Sequence, residues 1–465
     1  MTVQSYTIYP TKKHNRQPPP SSIVLHGLDL LSSPIQIQNH RFYYPASGAF
    51  PDIINNLKAS LAEALELYPP VTGTVIDNEK GETCIAVDPE HILGTPFLVD
   101  TKDTPYTGDA EDLSPRTEVL LAPLSSILAV KVTQFSCGTI AVASSFNHQA
   151  ADLRGFLDFL ELWALLARGE SPDFTKIPVD WSRTPGQYFP RVINQASEKT
   201  CPSPPPFSVS PTPVTSAAAY LLVPSVFSRW KFTKSSLEQM KNDFSPSASS
   251  DQSGLWISSG DALAAIVSGV ITRARTIGKV SRLEGRSSEE SQIEKVAMAA
   301  DGRERAVLAK MSGGHYFGNF NNLWSTEISR SDLLSSTPEA ASRIALAIRS
   351  GISVHLSPEA IARRIAFFDD PENTQPPGRI VWAADIILTN WCRFDLQGPK
   401  FDVGWGKPFS ATSGGGTVFP PGYCLMTQDK ESGDVTALIT VEHAGEDALK
   451  SDALLNKYAT LQAAL

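Results

Sequence analysis

An α/β protein built in two parts is the fold class that the sequence predicts, and three observations carry it. The chain has 465 residues, 42% apolar and 19% charged, a balance that supplies large cores rather than a disordered chain. Period-two strands and 3.6-period helices occur on both sides of one proline-rich stretch. That stretch, "CPSPPPFSVSPTPVTS" at 201–216, holds six prolines. Proline fixes φ and removes a backbone donor, so the segment reads as an extended connector, neither helix nor central strand. The predicted division is a first domain over 1–200, a linker over 201–216 and a second domain over 217–465, each a mixed sheet with helices.

The elements justify this in order. "SSILAVKVTQF" and "TIAVASSF" alternate apolar and polar residues around a Cys137-Gly138 turn, the pattern of a hairpin. "DLRGFLDFLELWALLARG" follows, with Leu153, Phe156, Leu157, Leu160 and Trp163 on one helical face and Gly169 to stop it. In the second part, "SSGDALAAIVSGVITRAR" reads as a helix capped near Ser259 or Asp261, "VTALITVEH" as a strand and "EDALKSDALLNKYATLQAAL" as one closing helix. The polar stretch "RLEGRSSEESQIE", 282–294, reads as an exposed loop.

Charge and cysteine usage narrow the function. A net charge of −9 disfavours nucleic acid and anionic membrane as partners. The five cysteines, Cys84, Cys137, Cys201, Cys392 and Cys424, are odd in number and widely spaced. They read as reduced thiols of a cytoplasmic protein, with no zinc spacing. The opening "MTVQSYTIYPTKKH" has no signal-type apolar core, and no apolar run is long enough to span a bilayer. No GxSxG elbow, Walker loop, GxGxxG after a strand or HExxH occurs, so serine nucleophile, nucleotide and metal sites of those kinds are not indicated.

The chemistry-bearing candidates start at "SFNHQAADLRGF", where His148 leaves a strand and Asp152 opens a helix. With 8 histidines, chance alone supplies about 0.4 HxxxD matches, and His443 with Asp447 makes a second one. A structural histidine and a catalytic base are thus evenly weighed at this point. An imidazole at a strand end can take a proton from an attacking alcohol or amine. Residues four apart at a strand-to-helix turn need not touch, so Asp152 is free to hold the turn through an arginine. "TNWCRF" offers the Thr389 hydroxyl and Trp391 indole as donors to a developing oxyanion, against the plainer reading of a buried strand. In "FDVGWGKPF", two glycines bracket a tryptophan, which points to architecture before chemistry. "AADGRERAV" and "HYFGNFNN" complete the set. There Arg303 or Arg305 could meet a buried aspartate, though a solvated turn is the simpler reading.

Taken together, "HQAAD", "SGDALAA", "DGRER" with "YFGN", "TNW" and "FDVGWGKP" resemble the BAHD acyl-CoA-dependent acyltransferases, in the family's order and over nearly the whole chain. The first and last correspond to its HxxxD and DFGWG signatures. Two departures stand out: Leu153, not glycine, follows Asp152, and Val403 replaces a phenylalanine. The branch that looks nearest is the fungal trichothecene O-acetyltransferases.

The resemblance implies two similar chloramphenicol-acetyltransferase-like domains with a channel between them. It selects His148 over His443 as general base, His443 marking the equivalent corner of the second domain. It makes Trp391 and Thr389 the oxyanion donors and pairs Asp152 with Arg303 as structural support. Asp402, Gly404, Trp405 and Gly406 form the structural turn. The expected donor is acyl-CoA, with acetyl-CoA the first choice, and the expected acceptor is a small-molecule alcohol, less readily an amine. No permanently bound cofactor or metal is expected, and the protein is expected to be a monomer. The CoA phosphates need basic groups, for which Arg273, Arg275, Lys279 and Arg282 are candidates, with the helix start at Ser259 and Asp261. A condensation-type domain acting on carrier-bound acyl groups, and a non-catalytic binding protein of the same fold, are the alternatives. Asn147 stands where the former usually has a second histidine.

Overall fold

The structure, a computed structural model, describes residues 3–462 apart from 15–18, 33, 89, 119, 193–206, 214–222, 247–253, 281–291, 375–377 and 416–418. Much of the proline-rich connector, Cys201, and the loop at 282–291 with Arg282 therefore lie outside the described residues.

The first half supplies strands β1 (Gln4–Ile8), β2 (Ser22–Val24), β3 (Gln36–Tyr43), β4 (Thr74–Asp77), β5 (Thr83–Ala86), β6 (Thr95–Lys102), β7 (Leu128–Phe135) and β8 (Ile140–Asn147). The second supplies β9 (Phe207–Val209), β10 (Ser225–Phe232), β11 (Ile293–Asp301), β12 (Asn321–Ser329), β13 (Ile380–Trp382), β14 (Ile386–Asn390), β15 (Ser410–Thr412), β16 (Tyr423–Gln428), β17 (Val435–Glu442) and β18 (Thr460–Leu461). The two large sheets run β1-β6-β7-β8-β3-β15 and β12-β11-β14-β16-β17-β10-β18. Both are mixed, with β6 parallel to β7 in one and β14 parallel to β11 and β16 in the other. The predicted hairpin is β7–β8, turning at Gly138 with φ +86°, where a side chain would be strained.

Helices α1 (Gly27–Leu30), α2 (Phe50–Leu67) and α3 (Leu153–Ala167) belong to the first half. Ile53, Leu57, Leu61, Ala64 and Leu65 of α2 are buried, as are the five apolar α3 positions read from the sequence. These spacings put one stripe of each helix against the first sheet. In the second half, α4 (Lys234–Phe244), α5 (Ser259–Ile277) and α6 (Pro338–His355) pack on the second sheet. Every α5 residue from Asp261 to Arg275 is buried, the signature of a helix with neighbours all round.

Two readings need correction. The expected closing helix is two short ones, Glu446–Lys450 and Ala453–Tyr458, followed by β18. The break falls at Asp452, whose carboxylate accepts from the Leu455 amide at 2.9 Å and from Arg273 Nε at 2.6 Å. A side chain so used restarts the helix rather than continuing it. The division of the chain also differs in space from its division in sequence. β15 pairs antiparallel with β3 and forms the edge of the first sheet. Leu396, Phe401 and Val403 lie in the first half's apolar core.

The turn that delivers this segment is built by Asp402, whose Oδ1 accepts from the amides of Gly404, Trp405 and Gly406 at 2.7, 3.0 and 2.9 Å. Gly404 and Gly406 have φ of +101° and +90°, so both positions need glycine. Trp405 stands edge-on to Tyr43, with ring centroids 5.4 Å apart. Arg168 at the end of α3 donates to the Asp402 carbonyl. Asp402→Ala strands three amides and is expected to destabilise the protein by about 1–2 kcal/mol. A chemical-denaturation midpoint equal to wild type would show that the carboxylate does not hold the turn.

Candidate active site

β8 is buried along its whole length between β7 and β3, so its end is a rigid platform. The Asn147 and His148 amides donate to the carbonyls of Ile127 and Ile35 at 2.8 and 2.9 Å. Asn147 Oδ1 then accepts from the Gln149 amide at 2.9 Å, and the chain turns into α3 at its cap, Asp152. His148 therefore leaves a fixed strand end on a short, hydrogen-bonded turn, its ring half-buried.

The imidazole is oriented by groups that the sequence did not single out. His148 Nδ1 lies 3.1 Å from Asn319 Oδ1 and 3.0 Å from Ser32 Oγ. The Asn319 amide cannot face the other way. Its Nδ2 donates to Asp29 Oδ1 at 3.0 Å and to the His148 carbonyl at 2.8 Å, and a flipped oxygen would meet acceptors only. Asn319 thus presents an acceptor, His148 Nδ1 carries the hydrogen, and Nε2 keeps its lone pair. Asp29 is fully buried and also accepts the Asn319 amide at 2.7 Å, while its other oxygen closes the α1 cap by accepting from the His26 amide at 3.0 Å. Burial lowers the imidazole pKa below its ordinary 6.5, against the opposing pull of Asp152, Asn319 and Asp29. The ring is neutral at pH 7.

Asp152 faces away from this network. Among the described residues it makes no hydrogen bond to His148. Arg303 grips it with two bonds, Nη1 to Oδ2 at 2.9 Å and Nη2 to Oδ1 at 3.0 Å. The Phe320 and Gly155 amides donate to the same carboxylate at 2.7 and 3.1 Å. Arg303 also donates to Asp301 at 3.0 Å and to the Gly318 carbonyl at 2.8 Å. Burial would raise the Asp152 pKa, but Arg303 and the two amides outweigh it and hold the carboxyl below its usual range. The same pairing raises Arg303 despite burial. Arg305 instead donates to the Leu356 carbonyl at 3.1 Å. Gly155, two places later than the glycine of the signature, is needed where it stands. A Cβ there would meet Ala151 Cβ at 2.8 Å and Phe317 Cδ2 at 3.3 Å.

Thr389 and Trp391 come off the same end of the second sheet as Arg303. β14 runs parallel to β11 with Thr389 opposite Ala299, and β11 ends at Asp301. Adjacent strands lie about 4.8 Å apart, so the ends of both open on one side. The Thr389 hydroxyl bonds the Tyr423 hydroxyl, a partner the sequence reading did not name. The Trp391 amide donates to the Met426 carbonyl at 2.8 Å, and its ring packs against the first half's core. Asp402, Gly404, Trp405 and Gly406 make their contacts with Tyr43 and Arg168, away from the His148 network.

The basic groups picked for CoA are committed elsewhere. Arg273 binds Asp452 at 2.6 and 3.1 Å and the carbonyls of Leu333 and Ser335, both at 3.1 Å. Arg275 binds Glu442 at 3.0 Å and the Asp385 carbonyl at 2.8 Å. Both are buried, so neither forms the exposed patch expected. Their partners lie 179 and 167 residues along the chain, and no local pattern could announce them. The cap of α5 is Ser258, one residue before Ser259, in a capping box with Asp261. Arg349 donates to Asp261 Oδ2 and Ser258 Oγ, both at 2.8 Å. The positive helix end is thus already met from within. Lys279 is exposed. His443 lies at a strand-to-helix corner after β17, 81% exposed and 3.5 Å from Glu446. No three His, Cys, Asp or Glu among the described residues are grouped to hold a metal, and no described helix is long and apolar enough to cross a membrane.

Two outcomes follow. Nitrogen NMR of His148 should report hydrogen on Nδ1 and a midpoint below about 6.5; a proton on Nε2 would overturn the orientation by Asn319. Asp152→Asn should cost about 3–5 kcal/mol of stability, because Arg303 is left buried against a neutral amide. A loss under about 1 kcal/mol by denaturation would show that the pair does not join the halves.

Comparison with known proteins places this geometry among relatives. The family model described as "Transferase family" matches residues 1–454. A hydroxycinnamoyltransferase of Narcissus pseudonarcissus is 26% identical over 89% of this chain and 90% of its own. A taxadien-5-alpha-ol O-acetyltransferase of Taxus cuspidata is 35% identical over 122 residues, 24% of this chain and 28% of its own. Among solved structures, F. graminearum TRI101 complexed with coenzyme A and T-2 mycotoxin superposes with a TM-score of 0.72 at 19% identity, covering 95% of this chain and 99% of that one. Vinorine synthase gives 0.66 at 20% identity, covering 98% of each chain. At these identities the structures speak for the two-domain fold.

Proposed function

This chain belongs to the Transferase family, and on that premise we propose that it moves a small acyl group, acetyl foremost, from acyl-CoA to a hydroxyl of a secondary metabolite. It is an acyltransferase that uses a CoA thioester, the class to which its named relatives belong. The taxadien-5-alpha-ol O-acetyltransferase acts on a hydroxyl, and this favours a hydroxyl acceptor here. The preference for acetyl rests on the same match.

The observation that carries the mechanism is the hydrogen bond from His148 Nδ1 to Asn319 Oδ1. It leaves Nε2 as the free base. The acceptor hydroxyl gives its proton to Nε2 while its oxygen bonds to the thioester carbonyl carbon. The carbonyl electrons move onto oxygen, and the oxyanion is stabilised by donors at the end of β14, for which Trp391 and Thr389 are our candidates. The intermediate then collapses, the carbon–sulfur bond breaks, and the imidazolium returns its proton to the CoA thiolate. No enzyme nucleophile takes part. Asp152 and Arg303 act by fixing the strand end that carries His148.

Incubation with acetyl-CoA and a panel of alcohols, read as free thiol, tests the reading. A carrier-dependent enzyme would ignore the free CoA ester, and a binding protein would release no thiol. His148→Ala should lower thiol release by about 10²–10⁴-fold with little change in thermal stability. Retention of full activity would remove His148 as the base. The base must be neutral, and its pKa lies below the ordinary 6.5. The rate kcat/KM should therefore be flat above pH 7 and fall as pH drops through that lowered value. A profile that falls with an apparent pKa above 7 would contradict it.

A further inference from the structure

Alternate residues of a strand share a face, so Ile37, Asn39, Arg41 and Tyr43 of β3 all look toward α3. Ile37 and Tyr43 belong to the apolar core there. Asn39 and Arg41 are only 0% and 5% exposed, and each holds an atom without a hydrogen-bond partner among the described residues, Asn39 Oδ1 and Arg41 Nη2. Buried polar atoms of this kind need a cause, and these two, among several in the described residues, stand two places apart on one face of one strand.

The contacts of Arg41 do not neutralise it. Its Nε donates to the Leu396 carbonyl at 3.2 Å, and its guanidinium lies 3.6 Å from the Phe401 ring centroid. The carboxylate acting on it is Glu161, already held by Arg154 at 2.8 Å and Lys400 at 3.0 Å. Burial pushes the Arg41 pKa down to about 10 in spite of Glu161 and Tyr43. Asn39 is equally unspent, since its Nδ2 reaches only the Thr412 carbonyl at 3.4 Å.

These two residues lie on the elements that carry the site. β3 and β8 run antiparallel, with Gln36 opposite Asn147, Asn39 opposite Ser144 and Arg41 opposite Val142. At about 3.3 Å per residue, Asn39 and Arg41 lie roughly 10 and 16 Å along the sheet from the end that delivers His148. α3 follows the same course from Asp152 past Arg154 to Glu161. The segment after Trp391 covers it, with Phe394 under Arg154 and Leu396 over Arg41.

We propose that Arg41 and Asn39 form a recognition subsite for a carboxylate-bearing reactant. Arg41 Nη2 donates to a carboxylate oxygen, and Asn39 Oδ1 accepts from a hydroxyl of the same molecule. A charge-assisted bond of this kind supplies the counter-ion that the fold withholds. That the molecule is a substrate rests on the acyltransferase reading above; that the subsite prefers a carboxylate does not. An acetyl group is too short to reach Arg41 from the reacting carbonyl. The carboxylate therefore belongs to the acceptor or to a longer acyl chain.

Calorimetric binding to the full-length protein tests the subsite without turnover. The probes are para-hydroxybenzoate and para-hydroxyphenylpropanoate, each against its methyl ester. At least one acid should bind about tenfold or more tightly than its ester, and Arg41→Gln should remove the preference while Arg41→Lys keeps part of it. Acid-to-ester ratios near one in the wild-type protein overturn the proposal, whether or not a variant folds. A preference that survives in Arg41→Gln overturns it too. The calorimetric readout is independent of turnover, so a missing acid preference tells against the subsite alone, and a missing thiol release from acetyl-CoA with the alcohol panel tells against the acyltransferase reading alone.

Discussion

Arg303 and Asp152 come from opposite halves of the chain and meet where both are buried, through two parallel hydrogen bonds. Either ion alone in that place would be costly, so each half stabilises a charge that the other cannot bury unaided. The pairing sets more than its own geometry. Asp152 caps α3 and stands four residues from His148, while Arg303 lies in the turn after β11 and holds the Gly318 carbonyl. Asn319 follows Gly318 directly. Fixing Arg303 on Asp152 therefore brings the orienting amide to the imidazole that it orients.

That amide gives the site a particular electrostatic character. A carboxylate in direct contact with the imidazole would fix its tautomer and also raise its pKa. Here the nearest link is neutral, and the carboxylate of Asp29 stands one bond further away. The tautomer is fixed with little added charge, and burial keeps the proton affinity low. An imidazole of this kind is unprotonated in the neutral range, and under the proposed mechanism that comes at some cost in driving force for taking the acceptor proton.

Much of this was legible in the sequence, and the parts that were not share a cause. β7, β8 and α3 follow from period and punctuation, since local patterns dictate local elements. Asp152 with Arg303, 151 residues apart, entered only through resemblance. The roles of Asn319, Asp29 and Tyr423 depend on contacts across the fold that no spacing encodes, although Asn319 stood inside "HYFGNF". Arg273 and Arg275 show the converse. As a basic run near a helix end they suggested a surface for phosphate, yet distant carboxylates draw both inside. The closing helix failed for a similar reason: Asp452 fits a helical pattern but is used as a cap and a counter-ion at once.

The place of β15 at the rim of the first sheet has a consequence for how the molecule comes into being. The strand that covers the flank of β3 is not made until residue 410, so on the ribosome the leading half must wait with an open sheet margin through some 250 residues of synthesis. An unguarded margin invites pairing with other nascent chains. Expressing residues 1–200 by themselves would leave that margin permanently bare, and a chaperone that shields extended backbone would be most useful to this protein during translation, before β15 arrives.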